Sequence, residues 1–306
     1  MAIEKLPSTG DMPRSTGVPA SLTPGETADS AGYPWAGRTF EHHVTTFADD
    51  DGSLPQEWAE AVHALRTCAA QLRTHPIDSE ARTAALHSVV DAHAAALLTL
   101  SRQRLLVPLV TEAGDVGVTP EGRTVEKTQE LSIVTIAAPD GRTAMPVFSS
   151  VETMKHWNHE ARPIPMPAPQ IALAAAQEAT DLIIIDAGSE DLEFGVRRTE
   201  LEAVALASRA VPSWADPEVV AAFEESVTPE PNVSGVRLSP GDPDSRLVAP
   251  ETEVLLSLHP GLTHAQVQQL LTALQQRWAA DERIATRVDS LKLTLRETSG
   301  NLRPKA

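Results

Sequence analysis

The sequence predicts an α+β protein: an N-terminal helix pair, a mixed α/β sheet domain, and a small C-terminal α+β domain. Three observations lead to this fold class. Apolar residues recur at helical spacing between residues 53 and 100. Two aliphatic runs, LSIVTIAA (131–138) and DLIIIDA (181–187), are typical of strands buried on both faces. Near the C-terminus, an amphipathic run over residues 264–280 lies between strand-like segments.

Composition divides the 306-residue chain into four parts. Residues 1–52 are rich in Pro, Gly, Ser, Thr and Asp and lack apolar periodicity, which predicts a disordered acidic arm. Proline-rich stretches then mark boundaries. We predict one domain over residues 53–210, a second over 211–298, and a flexible tail over 299–306.

Two helices are predicted first. Ser53 and Gln56 match a capping-box pattern for a helix that runs to about Arg73. A second helix, rich in Ala and Leu, is expected from about Ser79 to Leu100. The predicted buried stripe of the first helix consists of Trp58, Ala61, Val62, Leu65, Ala69 and Leu72.

The segment AAPDGRTAMPVFSS (137–150) is interpreted as a hairpin that leads into a helix. Asp140-Gly141 favours a type I′ turn, and Pro146 predicts that the return strand lies at a sheet edge or is bulged. Ser149 with Glu152 matches another capping box. In this interpretation Asp140 and Gly141 form the turn and Ser149 caps the helix, and the hairpin does not require Arg142.

The remaining elements follow from local signals. ARPIPMPAPQ (161–170) is expected to be an extended connector because proline interrupts helices. Asp216-Pro217 predicts the start of one helix, and Thr263 with Gln266 predicts the start of the long helix before a final alternating strand, VDSLKLTLR.

Charge and composition argue against several classes of protein. The net charge of −17, from 25 basic and 42 acidic residues, disfavours binding to nucleic acid and to anionic membranes. No run reaches the ~18 continuous apolar residues of a membrane span, and the first residues lack the pattern of a secretory signal. One cysteine, Cys68, excludes an intrachain disulfide. We therefore expect a cytoplasmic protein.

A search for catalytic and metal-binding motifs gives little. HWNHE (156–160) could place His156, His159 and Glu160 on one helix face, but this spacing is not HExxH. FADDDG does not match the calcium loop of an EF-hand. Neither a nucleophile elbow nor a glycine-rich phosphate loop occurs. We predict no catalytic residue, no metal and no cofactor.

The order of four segments resembles the N-terminal domain of SseB-family proteins in its actinobacterial form: RLLVPLV, EKTQELSIVTIAAPDGRTAMPVFSS, HWNHEARPIPM and DLIIIDAGS. The later segments EVLLSLHPGLTHAQVQQLLTALQQRW and RVDSLKLTLR are similar to that family's C-terminal domain. The resemblance covers residues 37–297 and implies a cytoplasmic bacterial protein of mixed α and β structure. IDAGSED departs from the family pattern, which has a proline in this turn. No catalytic residue is implied.

Three functional hypotheses remain open. The first is a non-catalytic interaction or regulatory protein whose unknown protein partner adds a strand to the edge 142–148, with Arg142, Trp157 and Arg162 as the contact patch. The second is a sensor or enzyme for an amino-acid-like metabolite. It would use a cleft between the two domains, with charges from Asp186, Glu126, Lys127 and Arg142. The third is a homo-oligomer formed through the apolar face of helix 264–280, a face more simply interpreted as core.

Overall fold

The computed structural model of the chain describes residues 47, 49–77, 79–111, 116–118, 124–126, 131–137, 141–178 and 180–298. Its contacts form two compact units, Met1–Asp50 and Asp51–Ala306. The helices and strands discussed below all belong to the second unit. Most of the predicted arm 1–52 and the whole predicted tail 299–306 lie outside the described residues.

Two helices, α1 (Gln56–Thr74) and α2 (Glu80–Leu100), pack against each other. Ser79 caps α2 by accepting a hydrogen bond from the backbone N–H of Arg82. The capping box predicted at Ser53 is wrong, because α1 begins after Pro55, whose fixed φ already supplies the extended geometry of an N-cap. The predicted stripe of α1 is confirmed at Trp58, Val62, Leu65, Ala69 and Leu72, all of them buried.

Helix α2 is the one described helix long and apolar enough to cross a membrane by length and composition alone. Its most apolar window has a mean hydropathy of 1.2, and 44% of that window is buried inside the protein. Val89, Leu97 and Leu100 contribute to the same core as α1. A core helix passes the same test of length and composition, so this feature is weak ground for a membrane span.

Two sheets and a small hairpin follow the helix pair. The first sheet has the order β4 (Leu131–Ile133), β1 (Arg104–Thr111), β7 (Arg162–Pro167), and both pairings are antiparallel. The second has the order β5 (Ile136–Ala137), β6 (Thr143–Val147), β8 (Leu182–Ile185), β9 (Phe194–Arg197), with β6 and β8 parallel. The hairpin is formed by β2 (Val116–Val118) and β3 (Thr124–Glu126).

The single strand predicted for 131–138 is wrong. The chain forms β4 in one sheet and β5 in another, and Thr135 between them is exposed. A run of β-branched residues favours extended backbone but does not select the strand it pairs with. The connector ARPIPMPAPQ is also more regular than predicted, since β7 pairs with β1 from Arg162 to Pro167.

The hairpin around Gly141 is confirmed by the antiparallel pairing of β5 and β6, while Asp140 lies outside the described residues. The edge position predicted for strand 142–148 is wrong, because β6 lies between β5 and β8. Pro146 is tolerated because the described pairing with β5 ends at Ala144. Phe148 then pairs with Leu106 of β1, so both sides of this segment are used.

The C-terminal part combines a three-stranded sheet with helices on one face. Strand β11 lies in the centre, antiparallel to β10 and parallel to β12. The remaining helices and strands, in chain order, are α3 (Val151–Trp157), α4 (Ala168–Gln177), α5 (Leu201–Leu206), α6 (Pro217–Val227), β10 (Val233–Pro240), β11 (Thr252–Leu258), α7 (His264–Ala280), α8 (Glu282–Arg287) and β12 (Leu291–Glu297). The α+β class is confirmed.

Two main apolar cores support these layers. One joins α1, α2, α4 and the β6–β8–β9 strands, and the other joins α6, α7 and β11. Leu270, Leu274 and Trp278 of α7 are buried in the second core, as the core interpretation of that helix predicts. Leu238 of β10 packs against both cores. The domain boundary near residue 210 stays a prediction.

Candidate functional site

The three residues of the predicted patch lie on different elements. Arg142 donates from one terminal nitrogen to both carboxylate oxygens of Asp289, at 2.8 and 2.9 Å. The ring of Trp157 packs on Phe148 with centroids 5.3 Å apart. Arg162 begins β7 and is exposed. Arg142 and Trp157 therefore have structural contacts inside the protein, and a common patch with Arg162 stays a prediction.

The loose metal motif does not become a helix face. Helix α3 ends at Trp157, so His159 and Glu160 follow it in a turn. Their side chains are exposed, with His159 Nε2 4.0 Å from Glu160 Oε1. Within the described ranges, no group of three or more His, Cys, Asp or Glu residues is arranged to hold a metal ion.

Ser149 and Asp186 form a buried polar pair that the sequence does not reveal. Ser149 donates to Asp186 from its backbone N–H at 2.8 Å and from its hydroxyl at 2.6 Å. The capping box predicted at Ser149 and Glu152 is wrong by one residue, because Ser150 and Thr153 form it instead. Thr153 also donates its hydroxyl to Asp186 at 2.6 Å. This network joins the start of α3 to the end of β8.

Burial raises the pKa of the Asp186 carboxyl, and the hydrogen bonds from Ser149 and Thr153 oppose that shift. Both Ser149 and Asp186 are fully buried. Asp186 has a φ of 52°, a left-handed conformation that Asp tolerates better than most residues. The Ser149 hydroxyl is thus shielded from solvent, and the pair holds the start of α3 against the end of β8.

A second buried network centres on Arg197 at the end of β9. Its guanidinium donates to Asp242 at 2.7 Å and to Asp289 at 2.8 Å. The side chains of Arg197, Asp242 and Asp289 are 3%, 0% and 3% exposed. Asp289 also accepts the bifurcated hydrogen bond from one nitrogen of Arg142. These contacts connect the strands of the first half to two loops of the C-terminal half.

Acidic residues next to Arg197 extend the network. Glu251 accepts from the backbone N–H groups of Ser213 and Asp289, at 2.8 and 3.0 Å. Glu200 contacts His93 Nε2 at 3.0 Å, and both side chains are buried. His93, Arg197, Glu200, Asp242 and Glu251 line one cavity of about 10 Å³, which has no space for an organic ligand.

Electrostatic effects in this network act in opposite directions. Burial alone would lower the pKa of Arg197, but Asp242 and Asp289 raise it above its ordinary value. Burial likewise would lower the pKa of His93, and the adjacent Glu200 raises it. Burial raises the pKa of Glu251, and the charge of Glu200 adds to that increase.

An open polar groove lies above the buried network, between α5 and α8. It consists of two adjoining cavities of about 450 and 540 Å³, which share Thr199, Glu202 and Thr286. Arg142 and Arg198 line the larger cavity. Both volumes lie in the range typical of small-molecule sites.

The cleft hypothesis is only partly matched by this groove. Arg142 lines it, as that hypothesis expects. Asp186 is instead buried in the network at the end of β8. The side chain of Glu126, and Lys127 as a whole, lie outside the described part of the chain. Glu202, Thr199 and Thr286 were not identified from the sequence, since nothing in their local pattern distinguishes them from other surface residues.

A further groove, the β12 groove, adjoins the outer strand of the C-terminal sheet. It has a volume of about 390 Å³ and an apolar lining that includes Trp278, Ile284, Val288, Leu291 and Leu293. Trp278 is fixed by a hydrogen bond of 2.9 Å from its indole N–H to the hydroxyl of Ser226.

Comparison with known proteins identifies one region. Residues 80–203 match the family model described as the SseB protein N-terminal domain. The match runs from the start of α2 into α5 and includes the β6–β8–β9 strands. Searches of curated proteins and of solved structures gave no match.

The chain is therefore an α+β protein in which residues 80–203 are similar to the SseB protein N-terminal domain. The resemblance to that domain is confirmed over residues 80–203. The similarity of the later segments to the family's C-terminal domain, and the actinobacterial form, stay predictions.

Proposed function

We propose that this chain is a non-catalytic, cytoplasmic interaction protein of the SseB family, in its bacterial, actinobacterial form, and that it binds a protein partner through β12. The proposal includes an SseB C-terminal domain in the second half of the chain. The observation that carries it is a seven-residue outer strand with an apolar groove beside it. The buried state of the Ser149–Asp186 pair supports a role without catalysis.

Strand β12 differs from two other outer strands of the described sheets, β9 and β7, whose edges are protected. The edge of β9 is covered, since the N–H of Gly195 donates to Ser245 at 2.7 Å. Strand β7 contains prolines at 163, 165 and 167, which protect an edge from further pairing. An edge without such protection is suited to strand addition.

The two faces of β12 indicate what the partner looks like. Leu291 and Leu295 lie on the core face and remain 37% and 41% exposed. Lys292 and Arg296 alternate with them and lie on the opposite face. Lys292 is 3.9 Å from Glu253, a long contact for an ion pair. The complementary partner is an extended segment in which apolar residues alternate with acidic ones.

A designed peptide tests this surface. The probe is an end-capped peptide of the length of β12 that alternates Val with Glu, compared with one that alternates Val with Lys. We expect the Glu peptide to bind roughly tenfold more tightly in a fluorescence polarisation assay, because opposite charges across strands stabilise pairing and like charges destabilise it. Hydrogen exchange should slow at β12 when the Glu peptide is bound.

Charge reversal provides the variant and its control. The double variant Lys292→Glu, Arg296→Glu should reverse the preference between the peptides. The control variant Lys155→Glu, at an exposed position of α3, should leave the preference unchanged. Equal binding of both peptides, or a preference unaffected by the reversal, overturns the proposal. A wild-type dimer that dissociates in the double variant also overturns it, because the edge would then belong to a second copy.

A further inference from the structure

We propose that the pocket between α4 and α5, together with the adjoining end of the polar groove, binds a small zwitterion with an apolar side chain, such as a free aliphatic amino acid. This α4–α5 pocket has a volume of about 380 Å³. It shares Arg198 and Glu202 with the polar groove, so an apolar and a charged compartment meet at these two residues. The inference is independent of β12 and adds a ligand to the proposed function.

The charged end of this site contains one cationic side chain, Arg198, and one anionic side chain, Glu202. Arg198 donates to the backbone carbonyl of Thr180 at 3.2 Å and takes part in none of the ion pairs of the described residues. Glu202, four residues later in α5, lines the same cavity and also takes part in none of them. Arg198 matches a ligand carboxylate, and Glu202 matches a ligand ammonium group.

Most other charged side chains of the groove are paired within the protein; the exception is Asp181, whose carboxylate accepts the backbone N–H of Thr143 at 3.0 Å. Arg142 is bound to Asp289, Arg209 lies 2.7 Å from Asp91, and Arg287 contacts Asp216 and Glu218 at 3.0 and 2.6 Å. Glu251 and Glu200 belong to the buried network. A ligand that also occupied the α4–α5 pocket would find its charge complement at Arg198 and Glu202, because these two residues line both cavities and Asp181 lines only the groove.

The apolar end explains why the ligand needs an aliphatic side chain. The pocket wall consists mainly of Ala172, Ala176, Leu201 and Ala205, with Leu173 and Leu206 at its margin. Leu173 and Leu206 are 54% and 67% exposed, which is high for leucine. A branched aliphatic side chain placed between α4 and α5 would cover both leucines while its charged groups reach the polar groove.

The position in the fold makes the site rigid. Arg198 directly follows Arg197, which is fixed in the buried ionic network at the end of β9. Leu201 of α5 and Ala172 of α4 belong to the main core. The charged groups thus lie on elements that the core and the ionic network hold in place, which lowers the entropy that binding would cost.

Four probes separate the parts of the ligand: L-leucine, isopentylamine, 4-methylpentanoate and glycine. Isopentylamine lacks the carboxylate, 4-methylpentanoate lacks the ammonium group, and glycine lacks the side chain. Isothermal titration of the full chain should show binding of L-leucine, with each other probe roughly tenfold weaker or more. No binding of L-leucine at roughly 10 mM, about ten times a weak Kd, overturns the inference.

Two variants with matched controls assign the roles. Arg198→Met should make L-leucine and isopentylamine bind equally, and Glu202→Gln should do the same for L-leucine and 4-methylpentanoate. Arg102→Met and Glu178→Gln, both at exposed positions, should retain full discrimination. Discrimination that survives in Arg198→Met and Glu202→Gln, with circular dichroism confirming folding, places the ligand elsewhere and refutes the inference. Binding of the Glu–Val peptide at β12 is measured separately and should be unchanged in both variants.

Discussion

Replacing Arg197 with Met removes a buried cation and leaves two buried carboxylates that it contacts. Arg197 lies 2.7 Å from Asp242 and 2.8 Å from Asp289. The methionine side chain fills part of the same volume, so packing is largely retained. The loss therefore reports the electrostatic role of Arg197 in joining β9 to the loops of the C-terminal half.

The expected loss in unfolding free energy is about 3–5 kcal/mol, the range for breaking a buried ion pair by removing one partner. Most of this destabilisation should come from the uncompensated charge of Asp242. Asp289 keeps its hydrogen bonds from one nitrogen of Arg142. Asp242 keeps the hydrogen bonds from the backbone N–H groups of Arg246 and Leu247, at 3.2 and 2.8 Å.

The pH dependence gives an independent signature. Burial already raises the pKa of Asp242, and Arg197 opposes that increase. Without Arg197 the pKa rises further. A carboxyl with a raised folded-state pKa favours the folded state at low pH and loses that contribution as pH rises through the raised pKa. The deficit of Arg197→Met should therefore be larger at about pH 8 than at about pH 5.

Urea unfolding followed by circular dichroism measures both effects. The double variant Arg197→Met, Asp242→Asn should recover part of the loss, because the uncompensated charge is removed together with its partner. Two results would refute the reasoning: a deficit below about 1 kcal/mol, or a deficit of normal size that does not change with pH.

Three further predictions concern neighbouring positions. Asp186→Ala should lower the unfolding free energy by about 2–4 kcal/mol, because Ser149 loses its acceptor and Ala is strained at a left-handed φ. Asp186→Asn should lower it less, since Asn tolerates that φ and keeps one acceptor oxygen. The unfolding free energy of the wild type should fall as pH rises above about 6.5 through the raised pKa of His93. Urea unfolding of His93→Gln at the same pH values should lack this decrease. Gly195→Ala should lower the unfolding free energy by about 1–3 kcal/mol, since the new Cβ would lie closer than 3.0 Å to the side chain of Leu247. Adding Leu247→Ala to this variant should recover part of that loss.

Each of these predictions has a result that contradicts it. Equal thermal midpoints for the Ala and Asn variants at Asp186 would mean that neither the left-handed backbone nor the acceptor matters. A pH profile of His93→Gln parallel to wild type would exclude His93 as the titrating group. Fully additive losses in Gly195→Ala, Leu247→Ala would show that the two side chains do not compete for the same space.

Local signals predicted the helices well because the groups involved are close in sequence. The capping box of Thr263 and Gln266 forms as predicted, and so does the cap of Asp216 on α6. In each case the donor and acceptor lie within three residues of each other. The predicted cap at Ser149 failed because Asp186, thirty-seven residues away, accepts from its backbone and its hydroxyl.

Strand pairing was harder to predict than strand position. The run DLIIIDA forms β8, in which Leu182–Ile185 are all buried, as its composition indicates. The run LSIVTIAA divides between two sheets, and β6 is an inner strand despite Pro146. Backbone hydrogen bonding to a partner strand depends on the approach of distant segments, which β-propensity does not encode.

The sequence by itself determined the α+β class, the helix positions, the buried faces of α1 and α7, and the resemblance of residues 80–203 to the SseB N-terminal domain. These follow from spacing within one element. The tertiary structure alone decided the sites. Arg197 meets Asp242 and Asp289 across 45 and 92 residues, and the charged groove and the β12 edge exist only once those segments have come together. Charged residues so far apart in sequence show no spacing pattern that would identify them as partners. Only the folded structure therefore shows which of them form ion pairs and which do not.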